Sequence, residues 1–281
     1  MAEHPDICLE TLRETDRDRY LACLLSPAER RADLAALYAF NAEIARVRDV
    51  VREPLPGEIR LQWWRDLIEG AAQGDSTGNP LAAGLASVIE RHRLPRATLL
   101  AMIDVRIGDL YDDPFADRNA LEGYAGETAS AIIQLASLIL SAEDAVRSAD
   151  AAGHAGVAQA IAGMILLMPQ HRRRGQVCLP LDVLGATGLD AAAFLAGEER
   201  ERISAAIEAF AGLGLEHLEK ARQAAGSISR ALFPAFLPIA LVEPILRSAV
   251  RRKAAILDQQ VQAPQWRRQL RLMKAQFRQR F

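Results

Sequence analysis

The side chains able to hold a metal or attack a substrate are scattered along this chain rather than gathered into motifs. Its three cysteines, Cys8, Cys23 and Cys178, are odd in number, widely spaced and free of a CxxC pair. That argues against a disulfide framework or a structural zinc site and fits a reducing, cytoplasmic compartment. The five histidines, His4, His92, His154, His171 and His217, show no HExxH or other paired spacing, so no histidine metal site is expected. Basic and aromatic residues are more concentrated. Arg172-Arg173-Arg174 can grip a phosphate-bearing group or form a solvated loop. Trp266, Leu270, Met273 and Phe277 recur at helical spacing with Arg267, Arg268 and Arg271 among them. Such a stripe suits either a membrane surface or the domain's own core.

Charge is distributed unevenly. Half of the 281 residues are hydrophobic and a quarter charged, with a net charge of −2, ordinary for a soluble globular protein. From Ile245 to Phe281, ten Lys or Arg residues face Asp258 alone, so this tail carries +9 and the remainder −11. The asymmetry points to a membrane or an acidic partner, or to a solvated basic face beside an acidic body. No nucleic-acid partner is expected. The opening MAEHPDICLE carries early acids and lacks a basic region followed by an apolar run, so it is not read as a signal peptide. No uncharged apolar stretch of about 18 residues predicts a transmembrane helix. Val157–Pro169 is too short, and Ala231–Leu246 holds Pro234, Pro238 and Pro244.

Helices must position these groups. Ser26-Pro27 reads as an N-cap followed by proline at the first helical position. Leu34, Leu37, Tyr38, Ile44 and Val47 then recur at helical spacing. Pro54–Gly57 closes that element. The next carries Ile59, Trp63, Trp64, Leu67 and Ile68. The adjacent tryptophans cannot share a face, so one is core and the other partly exposed. Gly70–Pro80 reads as a loop, Leu81–His92 and Ala97–Tyr111 as helices, and Asp112–Phe115 as a turn. Asn119–Leu140 and Asp144–Met168 read as helices, the second stopped by Pro169, with Gln170–Val183 a basic loop. Asp190–Ala196, Ile203–Ala225, Arg230–Ala255 and Pro264–Phe281 supply the rest. No strand pattern, repeat or linker interrupts them. The prediction is one all-α domain over residues 1–281, with a basic helical C-terminus from about residue 245.

The segment YLACLLSPAERRADLAALYAF, Tyr20–Phe40, resembles the opening of squalene and phytoene synthases. The likeness continues through Trp64-Arg65, Asn79-Pro80-Leu81, Leu94-Pro95, Asp109-Leu110, Tyr124 and GQVCLPLD at Gly175–Asp182, in the family's order. It implies an isoprenoid-synthase helical bundle with a central cavity. In that family two aspartate-rich segments on facing helices hold magnesium, which neutralises a departing diphosphate. Aligned on these landmarks, the first pair of aspartates falls on Ala45 and Arg46, leaving Asp49. The second pair falls on Leu167 and His171, an asparagine on Gly163, and an arginine on Ala42. Serines that help hold phosphate fall on Asp16 and Asp18, whose carboxylates would repel diphosphate. One aspartate of four cannot build octahedral magnesium sites.

One branch of the family, a mitochondrial assembly factor of respiratory complex I without these aspartates, resembles this chain further. The shared features are AFNAEIARVRD (Ala39–Asp49), Arg60–Trp64 and Phe233–Leu237. The resemblance implies a catalytically degenerate scaffold with respiratory-complex subunits as partners, peripheral on the inner face of the cytoplasmic membrane, and no cofactor. The alternatives are two. One is a working prenyl transferase using magnesium on substitute carboxylates such as Glu43, Asp104, Asp109 or Glu127. The other is a non-catalytic isoprenoid or lipid binder, with a cavity that Leu167 and Met164 would fill in a pure scaffold. Tyr20, Asn41, Glu43, Asp49, Asp109 and Tyr124 are the candidate cavity or ligand residues. Arg46 and Arg48 either grip an anion or pair with acids of a facing helix. Arg172, Arg173, Arg174, Trp266, Arg267, Arg268 and Arg271 are the candidate interaction surface.

Overall fold

In the computed structural model, which describes residues 4–70, 78–259 and 261–281, the chain is helical throughout, with no strand among the described residues. The first half runs α1 (His4–Thr15), α2 (Arg17–Leu24), α3 (Ala28–Ala45), the single turn α4 (Val47–Val50), α5 (Pro54–Glu69), α6 (Pro80–His92) and α7 (Arg96–Gly108). There follow α8 (Arg118–Ala125), α9 (Ala131–Leu140), the short α10 (Ala142–Ala145) and the long α11 (Ala149–Arg173). The chain ends with α12 (Leu181–Ala186), α13 (Ala191–Ala196), α14 (Arg200–Gln223), α15 (Phe233–Phe236), α16 (Val242–Arg252) and α17 (Gln265–Arg278). The loop predicted over Gly70–Pro80 falls largely on residues outside the described ones.

Helices α11 and α14 form the most extensive pair. Small residues set their distance. Gly214 on α14 faces Ile161 and Leu246, which a Cβ there would meet at 3.0 Å or less. On the other side of α11, Gly156 lies against the backbone of Ser130, whose nitrogen would be 2.3 Å from an added Cβ. Ser130 ends a π turn, Gly126–Ser130, that joins α8 to α9 in one continuous helical run. Its hydroxyl donates to the Gly153 carbonyl at 2.9 Å. A wide turn of this kind re-aims the residues on either side of it. Here it lets α9 pass close to α11 while α8 carries Tyr124 toward the site. Helix α3 is buried along nearly its whole length, from Asp33 to Ile44.

Proline accounts for most departures from the sequence expectation. Pro54 opens α5 instead of closing the previous helix, because a proline in a first turn gives up only an amide that has no partner there anyway. Pro169 does not end α11. It is buried, and the helix continues to Arg173 because later bonds hold the last turn, including Arg174 N–H to the Gln170 carbonyl. Losing one internal bond is tolerated where packing fixes both sides. Ser26 is not a cap; its hydroxyl donates backward to the Ala22 carbonyl at 2.7 Å, and Pro27 precedes α3. The expected helix over Arg230–Ala255 is broken into α15, two 3-10 turns and α16, since Pro234, Pro238 and Pro244 each remove a donor. The basic C-terminus is likewise two helices, α16 and α17, separated by the 3-10 turn Lys253–Leu257 and by Pro264.

Two stretches, Ala142–Arg173 and Phe233–Leu257, prove long and apolar enough to cross a membrane by length and composition, although none was expected. In the most apolar 18 residues of each, 61% and 67% are buried, as in the core helices of a globular fold.

Candidate functional site

The positions where the family's aspartates fall lie at the C-terminal ends of α3–α4 and α11. Arg46 ends α3, and the single turn α4 presents Arg48 and Asp49. Beyond α11 the chain turns at Gly175, where φ is +75°, and delivers Gln176 and Cys178. The loop after α7 supplies Asp112, also left-handed at φ +61°, a conformation that aspartate tolerates better than most residues.

These side chains meet directly. Arg174 pairs with Asp49. Arg48 grips Asp112 with both Nε, at 2.8 Å, and Nη2, and the Gln176 amide donates to the same carboxylate. The Arg48 contact holds the Asp112 carboxyl below the usual carboxylate range. Deeper in, Arg106 donates to Asp109 at 3.0 Å and to the Tyr124 hydroxyl. Tyr124 donates to Asp109 at 3.0 Å and packs edge-on against Phe115. Burial pushes the Tyr124 phenol upward.

Between these groups sits His171, its Nδ1 2.7 Å from Cys178 Sγ. Burial and then Arg174 lower the imidazole's pKa, while Asp49, Asp109 and Asp112 pull it back. Burial pushes the Cys178 thiol up to about 12. Both partners are thus neutral near pH 7 and share one hydrogen bond. That is the opposite of the thiolate–imidazolium pair a nucleophilic cysteine needs.

The charge balance is three arginines (48, 106, 174) against three aspartates (49, 109, 112). Arg–carboxylate pairs of this kind give each carboxylate a charged hydrogen-bond donor. Magnesium needs about six oxygens in near-octahedral array. The residues present do not fit it: Gly163, Leu167 and His171 supply no carboxylate. No three Asp, Glu, His or Cys side chains converge as metal ligands among the described residues.

The other sequence candidates have separate uses. Glu43 pairs with Arg60 at 3.1 Å and Asp104 with Arg65, while Glu127 is exposed. Asn41 is buried and Tyr20 packs against the main core. Arg46 is exposed, without an ion pair among the described residues. Leu167 does not fill the interior; it is 40% exposed. Asp16 caps α2 by accepting from Arg19 N–H at 3.0 Å, and Asp18 pairs with Arg268 of α17. The two phosphate-holding positions of the family therefore serve as a cap and an anchor. Arg172 donates to the Leu195 and Ala196 carbonyls at the end of α13 and pairs with Asp258, whereas Arg173 is exposed. Trp64 is core and Trp63 is 40% exposed.

Two clefts open elsewhere. One, of about 410 Å³, is lined by Trp63, Trp64, Glu43, Arg60 and Leu81. The other, of about 860 Å³, lies between α16 and α17 and is strongly basic. Sequence reasoning missed the Asp112–Arg48–Gln176 and Cys178–His171 contacts. A turn aspartate and three residues of a presumed loop, His171, Gln176 and Cys178, carry no spacing signal.

A model of the family described as squalene/phytoene synthase matches residues 12–267. NADH dehydrogenase (ubiquinone) complex I, assembly factor 6, of Rattus norvegicus is 35% identical over 244 residues, covering 87% of this chain and 73% of the relative. The protein of the same name from Homo sapiens is 34% identical over the same shares. A crystal structure of squalene synthase HpnC from Alicyclobacillus acidocaldarius superposes with a TM-score of 0.72 over 90% of this chain and 94% of that one. At 18% identity that likeness shows a shared fold and nothing more about function.

Proposed function

This chain belongs to the squalene/phytoene synthase family, and from that premise we propose that it is an assembly factor for respiratory complex I that performs no prenyl-diphosphate chemistry. The carrying observation is the self-neutral cluster beside the positions of the family's metal-binding aspartates. Arg174 and Arg48 occupy Asp49 and Asp112, so the carboxylates that remain are already countered by protein cations. Magnesium would have to displace Arg48 from Asp112 and Arg174 from Asp49. No cofactor is required in this reading. The name borne by the 34–35% identical relatives supports the assembly role. The partners are complex I subunits, met at the inner face of the cytoplasmic membrane.

The cleft beneath Trp63 and Trp64 favours one second reading, a bound isoprenoid or lipid held without turnover. Solvent extraction and mass spectrometry of the purified protein would reveal it.

Deleting the gene and measuring assembled complex I on native gels tests the main reading. Assembly should fall and return with the wild-type copy. A deletion strain with normal complex I would contradict the role.

A further inference from the structure

Helix α17 has two apolar faces, and only one is used by the fold. Leu272 and Ala275 are buried in a small cluster with Ala22, Phe233, Leu237 and Leu241. The Arg268–Asp18 pair and the Gln276 amide bonded to the Leu25 carbonyl at 3.2 Å fix the helix to α2. Phe281 stacks on Phe233 and Phe236 and pins its end. The opposite stripe therefore cannot turn inward. Trp266, Leu270, Met273 and Phe277 are 60%, 58%, 58% and 89% exposed. At 3.6 residues per turn they fall within an arc of about 60°.

One flank of that stripe is cationic. Arg267, Arg271, Lys274 and Arg278 follow it along α17, and Arg271, Lys274 and Arg278 form one wall of the 860 Å³ groove. Across the groove stand Arg247 and Arg251 of α16. The acid lining it, Glu243, is already shared by Arg222 and Arg247, each at 2.6 Å. Arg251, Arg271, Lys274, Arg278 and Arg280 have no ion pair among the described residues. Five cations without an ion pair among the described residues, beside four exposed apolar side chains, leave a surface that suits both anions and hydrocarbon.

We propose that α17 and the groove beside it form a docking surface for an anionic lipid bilayer. The stripe enters the headgroup–acyl boundary, and the groove cations meet lipid phosphates. A nucleic acid would satisfy the cations and leave the stripe in water. An apolar protein face would cover the stripe and strand the cations. The proposal rests on the assembly-factor reading for its cellular setting, and on α17 alone for its geometry.

The test is sedimentation of the full chain with vesicles of phosphatidylcholine, alone or mixed with phosphatidylglycerol, across a salt series. Binding should favour the mixed vesicles at least about tenfold and weaken with salt. A triple variant, Arg271→Gln with Lys274→Gln and Arg278→Gln, should lose about tenfold or more. Trp266→Ser with Phe277→Ser should bind weakly even at low salt. Quenching of tryptophan fluorescence by brominated acyl chains should vanish in Trp266→Phe, which leaves the inner face of α17 untouched. No preference for the anionic vesicles, or binding unchanged in both multiple variants, overturns the proposal. So does retention of a DNA duplex in place of vesicles, or self-association abolished by the Trp266→Ser variant. Because vesicle binding uses no complex I, its failure is separable from failure of the deletion experiment.

Discussion

Arg48 grips Asp112 through two nitrogens, while Arg174 meets Asp49 through one, and the two pairs differ in exposure. The Arg48 and Asp112 side chains are 23% and 29% exposed, against 38% and 50% for Arg174 and Asp49. Solvent screens the second pair more. Double-mutant cycles read by denaturant unfolding should give a coupling of about 1–2 kcal/mol for Arg48–Asp112 and under about 1 kcal/mol for Arg174–Asp49. Equal couplings would mean the fork geometry contributes nothing. The histidines set the acid limit. Burial lowers His171 and His217 below their ordinary value of 6.5, so the folded chain resists protonation that the unfolded chain accepts. As far as the histidines are concerned, stability should be level between pH 6.5 and about 8 and fall as pH drops below 6.5 toward the lower folded values. His171→Gln should flatten part of that fall in a series of thermal melts. The residue types at the degenerate motif were legible in the sequence, including the choice between anion grip and internal pairing for Arg48. What paired with what was not, because Asp112 and Gln176 sit in turns whose approach to α4 depends on the whole bundle.

At the scale of elements, close packing of helices decides more than propensity does. The Gly156 contact with Ser130 is backbone against backbone, so nothing flexible can yield. Gly156→Ala should cost about 3 kcal/mol or more, seen as a drop in Tm, although alanine favours helix. Gly163→Ala on the same helix, with open space around its Cβ, should be neutral or mildly stabilising. The anchor of α17 behaves asymmetrically. Burial outweighs the Arg268 contact and raises the Asp18 pKa, so the carboxylate is costly in place. Asp18→Asn should change stability by less than about 1 kcal/mol, while Arg268→Ala, which leaves that carboxylate without its partner, should cost about 1–2 kcal/mol. Hydrogen exchange should show α17 fraying in the second variant only. Helix periodicity located most elements. It failed at prolines, where position within a turn decides between starting, interrupting and surviving in a helix, and that position is fixed by tertiary packing.

At the scale of the whole molecule, the chain keeps the family's helical fold, with an Arg–Asp cluster beside the positions where the family's aspartates fall. Landmarks such as Asn79-Pro80-Leu81 and Leu179-Pro180 made the fold readable, since they mark helix starts. The exposed outer stripe of α17 was readable only as a choice between membrane and core. Its inner face, Leu272 and Ala275, lies on the same amphipathic helix, and the sequence does not say which face the core takes. The central claim of the proposed function is that the carboxylates left near the family's metal-binding positions are held by Arg48, Arg106 and Arg174 rather than free for magnesium. Incubating the pure protein with labelled farnesyl and geranylgeranyl diphosphates and magnesium, beside an active family member, tests it most directly. No diphosphate release and no C30 or C40 product are expected while the control turns over. Either product, at a rate above buffer, would contradict it.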